Sequence, residues 1–220
     1  MSNPFEDVHG EPAVRGFLHL PVNANGHGIV LTHGAGGDCR AKLLVAISDA
    51  LADAGFTVLR FDLPFRLARR FGPPFRGSAG QDRNGLRRAV AVMRDNVNGQ
   101  LFLGGHSYGG RQASILVSEN PQLVDGLLLL SYPLHPPKKP TELRTDHFPN
   151  LRTPVFFVHG VRDAFAATTE MQTALQRIPA PHLLFEVEGA GHELLSKKNA
   201  DTLPHEVASS FHKFREGLTL

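Results

Sequence analysis

The chain has 220 residues, a length typical of one domain with a single well-buried core, and we expect one domain spanning residues 1–220. Lys and Arg number 23 against 21 Asp and Glu, a formal net charge of +2 that does not favour nucleic acid as a partner. The single cysteine excludes an internal disulfide. The start of the chain shows no secretory-signal pattern, and no apolar run approaches the roughly 18 residues of a membrane span. We therefore expect a cytoplasmic protein with no membrane partner.

Short apolar runs alternate with amphipathic stretches along the chain. There are six such runs: "GIVLTH" from Gly28, "TVLRFDL" from Thr57, "QLFLGG" from Gln100, "DGLLLLSY" from Asp125, "PVFFVHG" from Pro154 and "HLLFEVEG" from His182. Most of them are nearly continuous in apolar residues, which is typical of strands buried on both faces of a parallel sheet. An earlier stretch, 14–21, predicts an added edge strand. Helical spacing of apolar residues predicts helices around 43–54, 86–97, 107–119, 171–178 and 207–214. The alternation predicts an α/β fold, with a mostly parallel central sheet and helices on both faces.

Ser107 lies where the strand "LFL" meets a predicted helix, in the sequence "GHSYG" at 105–109. This G-x-S-x-G pattern is typical of a nucleophile elbow, a sharp turn that exposes the serine hydroxyl. Gly105 and Gly109 lack a Cβ atom, which lets the strand and the helix approach each other closely. The alternative is an inert serine in a turn of small residues.

A serine hydroxyl is a poor nucleophile unless a base takes its proton and a carboxylate orients that base. His192 follows the last predicted strand and Asp163 follows the preceding one, so both should lie at the same sheet edge as Ser107. As alternatives, His192 is an ordinary core or surface histidine, and Asp163 is half of a surface ion pair with Arg162. His106 and His159 also end strands, and we expect both to be structural, with His106 pointing away from Ser107.

Backbone amides that stabilise a developing oxyanion are expected in the glycine-rich loop "LTHGAGGD", 31–38, and directly after the nucleophile. We predict that the N–H groups of Ala35 and Tyr108 form this oxyanion hole. A phosphate cradle is disfavoured, since the loop matches neither G-x-x-x-x-G-K-[ST] nor G-x-G-x-x-G. The stretches that begin at His192 and His205 lack the second histidine of H-E-x-x-H, and we expect no metal and no cofactor.

Four segments together resemble the α/β-hydrolase superfamily: "HGAGG" at 33–37, "GHSYGG" at 105–110, "GVRD" at 160–163 and "GAGH" at 189–192. The chain looks most similar to the small, nearly lidless members, the dienelactone-hydrolase-like and testis-expressed-30-like groups. This resemblance implies a mostly parallel eight-stranded sheet, whereas the residues themselves indicate seven strands. Dienelactone hydrolases use a cysteine nucleophile where this chain has Ser107, a departure that concerns lactone specificity and leaves acyl transfer intact.

The connection between the fourth and fifth of the six apolar runs is short and rich in proline. Residues 133–154 hold six prolines in 22 residues and no long apolar stripe, so we expect 134–153 to stand in place of a lid. An open site would suit a small ester, or an acyl group presented on a larger carrier.

Basic residues gather near the same predicted sheet edge. Arg66, Arg69, Arg70 and Arg76 follow the second of the six strands, and Lys138, Lys139 and Arg144 lie in the proline-rich connection. One hypothesis is that the substrate carries a carboxylate or phosphate, with Arg69, Arg70 and Arg76 as its binding residues. The alternative is a solvated basic rim without a ligand.

These patterns predict a cofactor-independent serine hydrolase that cleaves a carboxylic ester or thioester through an acyl-enzyme on Ser107. His192 would act first as base and then as acid, with Asp163 orienting it. Two alternatives remain open: a non-catalytic scaffold of the same fold that binds a partner, and a peptidase with the same three residues. The residue pattern does not indicate whether the protein is a monomer or an oligomer.

Overall fold

The computed structural model of the protein describes residues 2–218. Within this range the strands are β1 Ser2–Asp7, β2 Val14–His19, β3 Gly28–Thr32, β4 Thr57–Phe61, β5 Leu101–His106, β6 Gly126–Leu130, β7 Val155–Gly160 and β8 His182–Val187. The helices are α1 Lys42–Asp53, α2 Pro64–Ala68, α3 Ala79–Arg94, α4 Tyr108–Glu119, α5 Thr168–Leu175 and α6 Leu203–Gly217, with one 3₁₀ turn at Phe148–Asn150.

The eight strands form one sheet in the order β1-β2-β4-β3-β5-β6-β7-β8. From β4 to β8 in this order all neighbours are parallel, whereas β2 is antiparallel to both β1 and β4. The expectation of an eight-stranded, mostly parallel sheet is confirmed.

The predicted edge strand is the second strand of the sheet rather than its edge. β1 pairs with the outer side of β2 along its whole length, from Ser2 opposite His19 to Asp7 opposite Val14. The sequence gives little sign of β1, because most of its side chains are exposed and its pairing depends on backbone hydrogen bonds to β2. The short helix α2 was also not predicted, since five residues are too few to show helical periodicity.

Hydrophobic layers lie on both faces of the sheet. Alternate residues of each central strand enter opposite layers, so that Val30 belongs to one core cluster and Ile29 to the other. Helices α3, α4 and α5 contribute apolar side chains to the first cluster, and α1 and α6 to the second. Burial on both faces explains why these strands are almost continuously apolar.

The parallel strands place their carboxyl ends, and the loops that follow them, at one edge of the sheet. Between β6 and β7 the only regular element is the 3₁₀ turn, so the domain carries no cap at this edge. None of the helices within residues 2–218 is long and apolar enough to cross a membrane.

Candidate active site

Ser107 occupies a strained turn between β5 and α4. Its backbone has φ 50° and ψ −114°, in the half of conformational space that residues with side chains rarely adopt. Such a conformation costs on the order of 1–3 kcal/mol and persists only where the surroundings fix it. Here the Ser107 N–H donates to the carbonyl of Leu130, the last residue of β6, at 2.8 Å.

The two glycines that flank this turn permit a close approach between backbone segments. A Cβ atom on Gly105 would lie 2.5 Å from the carbonyl oxygen of Thr32, and one on Gly109 would lie 2.5 Å from that of His33. Any side chain at either position would separate the turn from the end of β3. This is the steric role that the sequence pattern predicts.

The structure brings Ser107, Asp163 and His192 together in one hydrogen-bonded chain. His192 Nε2 lies 2.8 Å from Ser107 Oγ, and His192 Nδ1 lies 2.8 Å from Asp163 Oδ2. Because a carboxylate accepts hydrogen bonds, Nδ1–H is the donor to Asp163, and Nε2 is left to accept the Ser107 O–H. The arrangement can transfer a proton from the serine hydroxyl to the imidazole.

Contacts between the loops after β7 and β8 hold Asp163 and His192 in register. The Arg162 N–H donates to the Ala190 carbonyl at 2.8 Å, which joins the two loops directly. Asp163 is fully shielded from solvent, and its Oδ1 accepts the Phe165 N–H at 2.8 Å. The Phe165 ring stacks on the imidazole of His192, with ring centroids 4.1 Å apart. Phe165 therefore supports both residues, a role that the sequence did not predict.

His106 differs from the expectation that it points away from Ser107. It lines the cavity beside Ser107, and its Nε2 lies 3.0 Å from the carbonyl oxygen of His192. Burial, the largest influence, lowers the pKa of His106, so the neutral ring is favoured and Nε2–H donates. His106 thus supports the loop that carries His192. His159 is fully buried on β7, and burial likewise lowers its pKa.

The loop 33–37 lies directly over Ser107, and its shape is fixed by side chains beneath it. A Cβ atom on Gly34 would be 3.4 Å from the Cβ of Ser107. His33 is fully buried, donates from Nδ1 to the Gly34 carbonyl at 2.9 Å and accepts the Leu63 N–H at Nε2 at 3.1 Å. Ala35 and Tyr108 both line the cavity, and within residues 2–218 neither backbone N–H donates to another backbone group.

A buried carboxylate, Asp82, anchors the Tyr108 side chain. The Tyr108 hydroxyl donates to Asp82 Oδ2 at 2.6 Å, and Asp82 Oδ1 accepts the Phe65 N–H at 3.0 Å. These contacts tie the start of α4 to α3 and α2, and they fix the position of the Tyr108 amide. No motif in the sequence indicates that Asp82 has this role.

A cavity of about 710 Å³ opens beside Ser107. Besides the loop 33–37 and the His192 region, its lining includes Arg111, Arg144 and Glu193 as charged residues. A second cavity of about 520 Å³ adjoins it and shares the lining residues Ala41, His106 and Glu193. The rest of this second cavity is mainly apolar, with Lys42 and Lys197 among its lining residues.

The structure does not bring Arg69, Arg70 and Arg76 to Ser107. All three are exposed and none lines the cavity, while Arg69 lies over the ring of Phe75. The buried member of this basic segment is Arg66.

The contacts of Arg66 explain why the arginines that follow it lie outside the cavity. Its guanidinium donates to the carbonyls of Ala35 and Gly37 on one side, and to those of 69, 70 and 72 on the other. The chain therefore folds around Arg66, and the arginines that follow it extend towards solvent. The sequence pattern does not separate this structural arginine from the others.

Residues 2–218 contain no group of three His, Cys, Asp or Glu side chains that could hold a metal ion.

An eight-stranded, mostly parallel sheet with a strand–serine–helix turn defines the α/β-hydrolase class of folds. Residues 25–215 match the family described as alpha/beta hydrolase domain, and the chain belongs to this family.

Solved structures of small, lidless members have the same fold. An alpha-beta serine hydrolase homologue from Coxiella burnetii is 15% identical, with 94% of this chain and 96% of that chain covered and a TM-score of 0.76. A dienelactone hydrolase from Anabaena variabilis is 20% identical, with 97% of each chain covered and a TM-score of 0.73. A serine hydrolase without a lid from Xanthomonas campestris is 16% identical, with 97% and 94% covered and a TM-score of 0.76. At these low sequence identities, the similarity to the three structures shows a shared fold and nothing more.

Proposed function

We propose that the protein is a serine hydrolase that cleaves a carboxylic ester or thioester through an acyl-enzyme on Ser107. The observation that carries this proposal is the unbroken chain from Ser107 Oγ through His192 to Asp163, with both contacts at 2.8 Å. The family assignment supports hydrolytic chemistry, and the lidless neighbour from Xanthomonas campestris bears the description of a serine hydrolase.

In the first half of the reaction Ser107 Oγ attacks the substrate carbonyl carbon while His192 Nε2 takes the hydroxyl proton. Negative charge moves to the carbonyl oxygen, where the Ala35 and Tyr108 N–H groups would donate to it. Asp163 accepts from Nδ1–H and stabilises the imidazolium that forms. The tetrahedral intermediate then expels the alcohol or thiol, which receives the proton from Nε2.

In the second half water replaces the alcohol or thiol. His192 Nε2 takes a proton from the water as its oxygen attacks the acyl carbon, and the second tetrahedral intermediate breaks the bond to Ser107 Oγ. The proton returns to Ser107, and the carboxylic acid leaves. The step needs room for water beside the acyl group, which the uncapped cavity provides.

The open cavity favours a small ester, or an acyl group carried on a larger molecule. No cap covers Ser107, so a leaving group can extend into solvent. The adjoining apolar cavity offers space for a short hydrocarbon portion of the substrate.

The test is labelling with a fluorophosphonate probe, combined with turnover of p-nitrophenyl esters, acyl thioesters and aminoacyl amides. We expect labelling of wild-type protein and loss of labelling in Ser107→Ala, with kcat/KM for the best ester lowered about 10⁴-fold or more. A matched control is Ser118→Ala, since Ser118 lies on the same helix and only donates to the Ile115 carbonyl. Thermal unfolding of each variant shows that the fold is intact.

Three outcomes would contradict the proposal. An unlabelled wild-type protein without turnover of any ester or thioester would favour the non-catalytic scaffold. Labelling that persists in Ser107→Ala would place the nucleophile elsewhere. Turnover of aminoacyl amides alone would favour the peptidase.

A further inference from the structure

Two arginines line the cavity beside Ser107 without an acidic partner. Arg111 lies on the first turn of α4, and Arg144 lies in the connection between β6 and β7. Within residues 2–218 the ion pairs of Lys and Arg side chains involve other residues, namely Arg15, Arg88, Arg94, Lys139 and Arg215. In addition, Arg111 Nε is buried and has no hydrogen-bond acceptor within the same range.

No carboxylate forms an ion pair with Arg111 within residues 2–218, and its hydrogen-bond partner Tyr132 is neutral because burial raises the pKa of that hydroxyl. Burial and then Arg111 lower the pKa of Arg144, while Tyr132 and Glu142 raise it, and Glu142 itself forms an ion pair with Lys139. Burial and then Arg111 lower the pKa of His147 to about 4, so His147 is neutral at physiological pH. The Tyr132 hydroxyl, which is also buried, donates to the Arg144 carbonyl at 2.6 Å. A partly buried cation without an ion-pair partner is costly, and an anionic ligand that accepts hydrogen bonds from the guanidinium would offset that cost.

The charges of the cavity are distributed unevenly. Glu193 belongs to the part of the lining that is shared with the second cavity, together with Ala41 and His106. Arg111 and Arg144 line the first cavity alone. A substrate with one anionic end would therefore have a defined orientation, with that end at the arginines.

We propose that Arg111 and Arg144 bind an anionic oxygen group, a carboxylate or a phosphate, on the substrate whose ester bond lies at Ser107. The inference rests on the proposed hydrolase function for the reaction, although the binding of the anion does not depend on it. Arg111 is four residues after Ser107, about 6 Å along the helix axis. A spacer of a few carbon atoms between the anionic group and the reacting carbonyl fits this distance.

Paired substrates test the proposal by turnover. Monomethyl glutarate is compared with methyl pentanoate, and 1-acetylglycerol 3-phosphate with 1-acetylglycerol, so that each pair differs in the anionic group. We expect wild-type kcat/KM to favour the acidic member of at least one pair about tenfold or more, as two charge-assisted contacts would give. The preferred pair identifies the anion as carboxylate or phosphate.

Variants then assign the preference to the two arginines. Arg111→Gln and Arg144→Gln should each lower kcat/KM for the acidic ester about tenfold and leave the neutral ester within about twofold. Arg111→Lys should restore part of the loss, because charge remains while the planar fork is gone. The matched control is Arg152→Gln, which removes the same charge from an exposed position just before β7, at the opposite edge of the sheet.

Binding to the Ser107→Ala variant separates this inference from the proposed function. Titration calorimetry with glutarate and with inorganic phosphate should show binding of one of them, lost when Arg111→Gln is added. If wild-type protein hydrolyses no ester but this binding is found, the hydrolase proposal fails and the anion site stands. If esters are hydrolysed but both pairs react equally, neither anion binds and the arginine variants match Arg152→Gln, the anion site is overturned and the hydrolase stands.

Discussion

The two sides of the Ser107 cavity are built by different means. On one side, backbone atoms of the strand-end loops touch one another, as where Gly109 meets the His33 carbonyl and where the Arg162 N–H meets the Ala190 carbonyl. Elsewhere the lining includes the long side chains of Arg111 and Arg144. We call the first the backbone side and the second the arginine side.

We expect the backbone side to determine the rate of the reaction and the arginine side to determine which substrate is preferred. The backbone side leaves little freedom, since a single Cβ atom would move one loop away from another. The arginine side consists of side chains from α4 and from the connection 134–153, and replacing these two side chains leaves the backbone contacts in place. We expect substitutions on the backbone side to affect the reaction itself or the fold, and substitutions on the arginine side to change which substrate is preferred.

The largest effect that we expect is that of Asp163→Asn, which acts on the backbone side. Asparagine retains the size and can still accept the Phe165 N–H, but its amide group in place of Oδ2 would favour the wrong tautomer of His192. We predict a fall in kcat of about 10⁴-fold with little change in KM. The measurement is steady-state hydrolysis of a p-nitrophenyl ester.

Asp201→Asn is the control for this variant, because Asp201 is exposed and lies just before α6. A loss of activity of less than about tenfold in Asp163→Asn would show that His192 does not depend on this carboxylate, and the proposed roles would fail.

The contrast between the backbone side and the arginine side also explains which site residues the sequence could predict. The sequence predicts a common location for Ser107, Asp163 and His192 because each follows a predicted strand, and the parallel arrangement of strands brings such positions to one edge of the sheet. Their meeting in the structure reflects the order of β5, β6, β7 and β8 as adjacent strands. Their catalytic roles, and the donation by the Ala35 and Tyr108 amides, remain predictions.

The sequence predicts the arginine side only in part, since Arg144 is among the basic residues expected near this edge and Arg111 is not. Arg69, Arg70 and Arg76 follow β4 and Arg111 follows β5, and only the three-dimensional packing shows which of these side chains line the cavity. Arg66 determines the course of its segment through five carbonyl contacts that no local pattern reveals. The sequence pattern does not predict β1 for a related reason, since the stability of this strand depends on pairing with β2 rather than on its own apolar residues.

A second prediction concerns the stability of the backbone side. In Gly109→Ala the new Cβ atom would lie 2.5 Å from both the His33 carbonyl oxygen and Thr32 Cγ2, so the turn or the end of β3 must shift. We expect a loss of about 3 kcal/mol in the free energy of unfolding, from overpacking of a close-packed contact. Urea unfolding followed by circular dichroism measures it.

Gly80→Ala is the matched control, since a Cβ atom at Gly80 on α3 meets no heavy atom within 4 Å. We expect this variant to be unchanged or more stable by up to about 1 kcal/mol. Equal stability of the two variants would mean that the elbow tolerates a side chain and that the backbone side is less constrained than its contacts indicate.

A third, smaller effect concerns pH on the arginine side. Burial and Arg111 lower the pKa of His147 to about 4 from an ordinary value of 6.5. The unfolded chain therefore binds a proton more readily than the folded one, so the contribution of His147 to stability is complete above pH 6.5 and is lost as the pH falls towards about 4. In His147→Gln the free energy of unfolding should fall less steeply over this range.

The comparison is His205→Gln, which removes an exposed histidine on α6, so that a difference between the two variants assigns the effect to His147. Nuclear magnetic resonance titration of His147 in Arg111→Gln sharpens the test, because removal of the neighbouring charge should raise its pKa. An unchanged pH dependence in His147→Gln would show that this histidine is not held neutral by its surroundings.

The smallest effect is expected for the basic segment that the sequence suggested as an anion site. Arg69 and Arg76 are exposed and lie outside the cavity, so solvent and salt screen their charges from a bound substrate. The double variant Arg69→Gln, Arg76→Gln should leave kcat/KM for monomethyl glutarate within about twofold at physiological salt, with a slightly larger loss at low salt from weaker steering. A tenfold loss at physiological salt, comparable to that of Arg111→Gln, would instead show that this segment contacts the substrate and that the two arginine groups act on the same anion.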